Sequence, residues 1–338
     1  MLTDESIGSE FKKILSVRGE KELGESLRKA QELTRISFDK KIHFYAPSFM
    51  YYKTSYYSYS PVSFPTISVT GKGCGLKCKH CGGRVLETMY PAETPEKLFE
   101  LCTHLKHNGA LGCLISGGCL PDGTVPLARF VETIGRVKHE LGLTVFVHTG
   151  IVDYETAGAL KIARVDGALI DIIGSDETIN EICRLNVTVK DYENSLQALH
   201  QATITFVPHV IVGLHYGKLK GELHALEMIS KYEPSAVVII AFMPIHGTEM
   251  SNVKPPEPLD IAKVIGIARL MLPTTPLVLG CMRPKGKHRA RTDVLAIKAG
   301  VNAIAFPTED AVRFAEGQGY AAVFSPLCCA QIYSDIMC

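Results

Sequence analysis

From Phe64 onward the chain repeats one rhythm, in which short apolar runs alternate with amphipathic stretches. The runs are Thr66–Val69, Gly112–Ile115, Thr144–Val147, Gly167–Ile173, Ile204–Val212, Ala236–Phe242, Pro276–Leu279 and Asn302–Phe306. Between them lie Pro95–Asn108, Leu127–Leu141, Tyr154–Ala163, Tyr192–Ala202, Leu223–Tyr232, Leu259–Leu272 and Thr292–Ala299, each helix-like in pattern. Apolar strands that alternate with helices argue for parallel β/α units. Eight such runs predict an α/β fold, a (β/α) TIM-type barrel, full or nearly closed, over residues 64–310. In such barrels the chemistry sits where strands end and enter their loops.

The flanks read differently. Residues 1–63 form an N-terminal extension. Its first part, Glu5 to Ile36, carries a helix-like pattern in Phe11, Leu15, Leu23, Leu27, Ala30 and Leu33. Its second part, Lys41 to Pro65, is rich in tyrosine (Tyr51, Tyr52, Tyr56, Tyr57, Tyr59) and reads as extended structure or a hairpin. That stretch is either packing for the extension or a contact surface for a partner or substrate. Residues 311–338 form a C-terminal tail carrying a cysteine pair.

Charge narrows the function classes. The 338 residues hold 36 basic and 35 acidic side chains, so there is no electrostatic footprint for nucleic acid. No apolar run reaches the roughly 18 residues that suggest a membrane span. Met1 to Lys13 lacks the apolar core of a signal peptide, which makes the expected location cytoplasmic. In that setting eleven cysteines, an odd number, point to metal rather than to a disulfide framework.

The cysteines cluster. After the first run comes Gly71-Lys72-Gly73-Cys74-Gly75-Leu76-Lys77-Cys78-Lys79-His80-Cys81-Gly82-Gly83. Three thiolates spaced C-x3-C-x2-C on a glycine-rich loop can converge on one face of a [4Fe–4S] cubane and leave its fourth iron open. A structural zinc site would want four protein ligands and paired C-x2-C knuckles, and no second knuckle follows nearby.

This segment resembles the signature of the radical S-adenosylmethionine (SAM) superfamily, with His80 as the ring residue before the third cysteine. The resemblance implies that SAM chelates the open iron and is cleaved to methionine and a 5′-deoxyadenosyl radical. It carries further residues in order along the chain. Ser116-Gly117-Gly118 resembles the segment that holds SAM's amino group, with Cys119 in the place of its usual Glu. Asp171 stands where the superfamily places a polar residue on the ribose. Val212 and Gly213, in Ile211-Val212-Gly213-Leu214, resemble the stretch that packs adenine, although its leading Gly is His209 here and its trailing Glu is absent. Pro244-Ile245-His246-Gly247-Thr248 resembles the turn after strand six.

Eight cysteines remain. Cys102 and Cys113 read as core thiols, and Cys183 and Cys338 carry no assigned role. Cys119 ends the second strand and Cys281 the seventh, and Cys328-Cys329 lies on a tail that can fold back. Together these four suggest an auxiliary Fe–S cluster, with reduced structural thiols as the alternative.

Over residues 65–309 the pattern looks most like the biotin synthase and lipoyl synthase group, in which an auxiliary cluster supplies sulfur to an unactivated carbon. Biotin synthase places cysteines on strands two, three and five, whereas the third and fifth strands here show Phe146-Val147-His148 and Val207-Pro208-His209. Single-protein lipoyl synthase has an N-terminal cysteine triplet, and residues 1–73 hold no Cys. The closest resemblance is to the two-protein lipoyl synthase of archaeal type. It implies an octanoylated lipoyl-carrier protein or peptide as substrate, a second radical SAM protein as partner, and an electron donor of the ferredoxin or flavodoxin type. A biotin-synthase-like or other radical SAM enzyme of carbon-skeleton chemistry without sulfur transfer, and a non-catalytic Fe–S scaffold, are the alternatives.

Overall fold

A computed structural model describes residues 4–58 and 60–336; Tyr59 and Cys338 lie outside the described residues. Eleven strands form one sheet, all paired in parallel. They are β1 (Lys41–Tyr45), β2 (Thr66–Ser68), β3 (Tyr90–Pro91), β4 (Gly112–Ser116), β5 (Thr144–His148) and β6 (Gly167–Asp171). The series continues with β7 (Phe206–Val212), β8 (Val237–Ala241), β9 (Leu277–Leu279), β10 (Ala303–Ala305) and β11 (Ala321–Ser325). The spatial order is β11-β1-β10-β9-β8-β7-β6-β5-β4-β2-β3. Each of the eight apolar runs contains one strand, β2 and β4 to β10.

The helices are α1 (Asp4–Ser16), α2 (Glu20–Ser26), α3 (Arg28–Ser37), α4 (Pro95–His107), α5 (Val131–Leu141), α6 (Tyr154–Ile162) and α7 (Asp176–Cys183). After them come α8 (Val189–Gln201), α9 (Glu222–Ser230), α10 (Pro258–Met271), α11 (Lys287–Ala299), α12 (Glu309–Gly317) and α13 (Ile332–Asp335). Local chemistry starts several of them. The side chains of Thr94, Asp153 and Ser175 accept from the third backbone N–H of α4, α6 and α7, and Thr188 with Asp191 forms a capping box on α8.

The flanks differ from their expected form. Lys41–Tyr45 is no outlying extension but a strand inside the sheet, paired with β10 on one side and β11 on the other. Likewise, residues 311–338 supply β11 and most of α12. The single helical pattern expected over Glu5–Ile36 is three helices, α1 to α3, which pack on α10. Leu27 lies so close to α10 there that a Cβ on Gly266 would sit 2.0 Å from Leu27 Cδ2. Covered by these helices, α10 is buried from Ile261 to Arg269.

The barrel is open rather than closed: the sheet curls but keeps two edges, β3 and β11. The chain after β11 fills it from inside. Cys328, Cys329, Ala330 and Ile332 pack against Phe146, Leu169, Val207, Val238 and Val278, the inward residues of five strands. Three hydrogen bonds pin this plug. Tyr45 Oη donates to Asp335 at 2.6 Å, Tyr333 Oη to the Asp166 carbonyl at 2.7 Å, and Ser63 Oγ to the Pro326 carbonyl at 3.1 Å. A second apolar layer lies between the sheet and the helices.

Candidate iron–sulfur and SAM site

The cysteine loop leaves β2 and is tied down at every turn. Ser68 Oγ donates to the Gly71 carbonyl at 2.6 Å, and Thr70 Oγ1 donates to the Gly73 carbonyl at 2.8 Å. The same Thr70 oxygen accepts the Gly118 N–H at 2.7 Å, which joins the loop to the glycine pair after β4. Gly75 N–H donates to the Cys119 carbonyl at 2.7 Å. Gly118 must lack a side chain for this approach, since a Cβ there would meet Gly73 O at 2.0 Å and Cys74 Cα at 2.7 Å. Gly117 and Gly118 therefore lie against the residues that lead into and form the loop. On the far side the end of α7 closes the loop: Lys79 N–H donates to the Ile182 carbonyl, and Arg184 Nη1 to the Lys77 carbonyl.

Cys78 and Cys81 are buried, and Cys74 is half-buried. One donor atom each from Cys78, His80 and Cys81 lies within 4.8 Å of the others. Cys74 stands outside that set, as suits a cubane, whose ligands are spread over several irons rather than gathered on one ion. The thiols of Cys78 and Cys81 are both pushed above their ordinary value. A hydrogen bond to the Cys183 carbonyl at 3.3 Å pushes Cys78 up, and hydrogen bonding with Cys78, then burial, pushes Cys81 up to about 12. His80 Nδ1 is buried without a hydrogen-bond partner. Cys78 and Cys81 converging beside Cys74, with an unsatisfied ring nitrogen of His80 next to them, fit a [4Fe–4S] cluster held by the loop.

Asp171 ends β6 near this loop. Burial alone would raise its carboxyl, but the imidazoles of His148, His209 and His80 outweigh that and hold it down at about 2. Val212 is buried at the end of β7, and Gly213 follows with φ +73°. Glu222, the first residue of α9, accepts the Gly213 N–H at 2.8 Å.

The four cysteines expected to form one auxiliary set divide into two places. Cys119 belongs to the SAM-cluster side. Its thiol is pushed up to about 12 by burial and then by Cys74 and Asp171, and its carbonyl holds the loop. Cys281 instead packs against the apolar cluster that contains Cys328 and Cys329. Its thiol is pushed up to about 11 by burial and then by Cys328. The reason for the division is topological: β4 and β9 stand on opposite sides of the curled sheet, five strand steps apart. Beside the Cys281 group lie two arginines. Arg283 is fully buried in an ion pair with Asp293 at 2.7 Å. Arg289 donates to the Arg283 carbonyl at 3.1 Å, yet its Nε is buried with no partner.

A cavity lies elsewhere, between the loops after β4 and β5 and α8, and touches none of these cysteines. The site is accordingly assigned on donor chemistry. Among the described residues no helix is long and apolar enough to cross a membrane.

Residues 68–220 match the model of the Radical SAM superfamily. The biotin synthase of Leptospira biflexa is 28% identical over 213 residues, which cover 62% of this chain and 59% of that protein. The match thus spans less than two thirds of that relative. The biotin synthase of Hyphomonas neptunium is 26% identical over 252 residues, covering 70% of this chain and 75% of the relative. Among solved structures, methylornithine synthase superposes with a TM-score of 0.65 at 18% identity, covering 99% of this chain and 97% of the other. The [FeFe]-hydrogenase maturase HydG of Carboxydothermus hydrogenoformans gives 0.65 at 14% identity, covering 94% and 75%. At such identities the structures establish the fold alone. Cluster loop, glycine pair and Asp171 all fall inside the segment that matches the Radical SAM superfamily model.

Proposed function

We propose that this chain is a biotin-synthase-like radical SAM enzyme that inserts sulfur into an unactivated C–H bond. Cys74, Cys78 and Cys81 would hold the [4Fe–4S] cluster, and Ser116 to Gly118, Asp171, Val212 and Gly213 would line the SAM site. Bound there, the cluster supplies the electron that cleaves SAM and so produces the radical that takes hydrogen from the substrate. The chain's own part is positional. Thr70 fixes Gly118 against the cluster loop, Glu222 fixes Gly213, and α7 shields Cys78.

The observation that carries sulfur insertion is the buried group of Cys281, Cys328 and Cys329 beside the unpartnered Arg289 Nε. A buried guanidinium donor without a partner is costly, and an anionic cluster on those thiols would satisfy it. Within this reading the substrate is an octanoyl chain on a lysine of a small carrier protein, with a second radical SAM protein adding the other sulfur. A ferredoxin or flavodoxin would deliver the electron.

The test is anaerobic turnover with SAM and reductant, offering octanoyl-lysine peptide and dethiobiotin in parallel. Formation of 5′-deoxyadenosine, abolished in Cys74→Ala, Cys78→Ala and Cys81→Ala, is the expected result. Gain of sulfur on the peptide, read by mass spectrometry, supports the octanoyl substrate, and gain on dethiobiotin replaces it. Cleavage of SAM without sulfur on either, at full iron content, overturns sulfur insertion.

A further inference from the structure

Three neighbouring strands carry a polar cluster that the proposed function does not use as a unit. His148 closes β5, Asp171 closes β6, and His209 lies on β7 directly opposite Asp171 in the register. Strand side chains alternate between the two faces, so these residues share a face with Phe146, Leu169 and Val207, two positions earlier. Those three belong to the core inside the curled sheet. His148, Asp171 and His209 are thus the next layer up, at the end of the barrel where the strands enter their loops.

Their geometry is that of ligands. His148 Nε2 lies 3.5 Å from Asp171 Oδ1, the imidazole centroids are 5.8 Å apart, and one donor atom from each residue falls within 4.8 Å of the others. A charged N–H···O bond would be shorter, about 2.7–2.9 Å. Two ligands held about 2.0–2.1 Å from one tetrahedral ion sit roughly 3.3 Å apart. His209 Nδ1 stands 3.1 Å from the Val207 carbonyl, an acceptor only, so Nδ1 carries the proton and Nε2 keeps a bare lone pair. A metal-binding histidine is held this way, its other ring N–H given to a backbone carbonyl. Three strands, not flexible loops, carry the donors, His148 and Asp171 at strand ends and His209 within β7.

We infer that His148, Asp171 and His209 bind a divalent first-row transition ion, of the Zn²⁺ or Fe²⁺ class, separate from the iron of the cysteine loop. Two imidazoles and one carboxylate suit such ions and leave the remaining positions to water or to an oxygen or nitrogen atom of a bound molecule. The oxygen of Asp171 nearest His148 is Oδ1. The inference does not rest on the sulfur chemistry.

The experiment is a Co²⁺ titration, under anaerobic, reducing conditions, of the iron-free, full-length chain carrying Cys74→Ala, Cys78→Ala and Cys81→Ala, which removes the competing thiolates of the loop. One equivalent should give visible ligand-field bands from nitrogen and oxygen ligands, without a thiolate charge-transfer band. His148→Gln, Asp171→Asn and His209→Gln should each weaken that equivalent by more than the roughly 10–100-fold that loss of a mere supporting partner causes. In that chain, with no further substitution, the bound cobalt should shift two exchangeable imidazole N–H resonances, a readout that needs no variant of the site to fold. His215→Gln, in the exposed group Glu177–Glu181–His215, should change nothing. Retained affinity in folded His148→Gln and His209→Gln, loss in His215→Gln, a thiolate band on the first equivalent, or no shifted imidazole resonance would each overturn the site.

Discussion

The carboxylate of Glu222 accepts the backbone N–H of Gly213 at 2.8 Å, across nine residues and from a different element. Gly213 turns the chain at the end of β7 with φ +73°, and the ring of Pro256 lies where a Cβ would be, at 2.7–2.9 Å. Backbone, proline and buried carboxylate together set the wall that the resemblance assigns to adenine.

Glu222 carries a pH signature. Burial pushes its carboxyl above the usual range, against the lowering effect of the Gly213 N–H and other backbone donors. The folded state therefore holds the proton longer than the unfolded chain does. The associated stability is full below the unfolded value and is lost as pH rises through the folded one. Glu222→Gln keeps an oxygen for Gly213 but cannot ionise. Urea denaturation of the iron-free protein should therefore show a smaller fall in stability between acidic and neutral pH in Glu222→Gln than in wild type. Glu222→Ala should lose stability at both, by about 1–3 kcal/mol for the unsatisfied N–H.

Gly118→Ala should cost the cluster. The added methyl meets a backbone oxygen at 2.0 Å and the backbone of Cys74 at 2.7 Å, so no rotamer change relieves it. Gly117→Ala faces only the side chains of Thr70 and Val69, at 3.1–3.2 Å, and should be milder. Iron and sulfide counts after anaerobic reconstitution are the measurement, with a loss of roughly four irons expected in Gly118→Ala.

The pair Arg283–Asp293 is fully buried, and it orders the segment that carries Cys281. Arg283 also donates to the carbonyls of Gly280, Ala305 and Phe306, and Asp293 accepts the Thr308 N–H at 2.9 Å. Asp293→Ala leaves the guanidinium buried and unpaired, and should destabilise by about 3–5 kcal/mol in chemical denaturation. The double change Arg283→Met with Asp293→Leu should recover part of that loss, because it removes both charges from the interior.

What was legible in the sequence follows from what is local. The runs Thr144–Val147 and Gly167–Ile173 announced strands because each is buried on both faces and bounded by turn residues. The cysteine loop was legible because its spacing is itself the chemistry. β1 was not: Lys-Ile-His-Phe-Tyr carries a charge and precedes a tyrosine-rich stretch, and only pairing with β10 and β11 makes it interior. β11 alternates exposed and half-buried residues at a sheet edge, which weakens its apolar signal. Glu222 escaped because its role depends on where α9 begins, and Cys119 was grouped with Cys281 because strand-end position says nothing of the side of the curl. The cluster of His148, Asp171 and His209 did leave a signal, one polar residue at or near the end of three successive strands.

The division of the cysteines makes the sharpest expectation. If Cys281 and the Cys328–Cys329 pair hold an auxiliary cluster, Cys281→Ala should remove about four irons and leave the loop cluster in place. SAM cleavage should then persist while sulfur transfer is lost. Cys119→Ala should behave otherwise, because its thiol lies with Cys74 and Asp171, away from that group. It should keep the iron of both clusters, because the backbone carbonyl that accepts the Gly75 N–H is retained, and should alter SAM cleavage through loss of the thiol beside Cys74. The readouts are iron per chain, 5′-deoxyadenosine formed and sulfur gained by the substrate, each measured on both variants. Equal iron loss in Cys119→Ala and Cys281→Ala would mean that one cluster uses both thiols, which the separation of β4 from β9 argues against. Unchanged iron in Cys281→Ala and in Cys328→Ala would leave these as packed thiols and remove the auxiliary cluster from the proposed reaction.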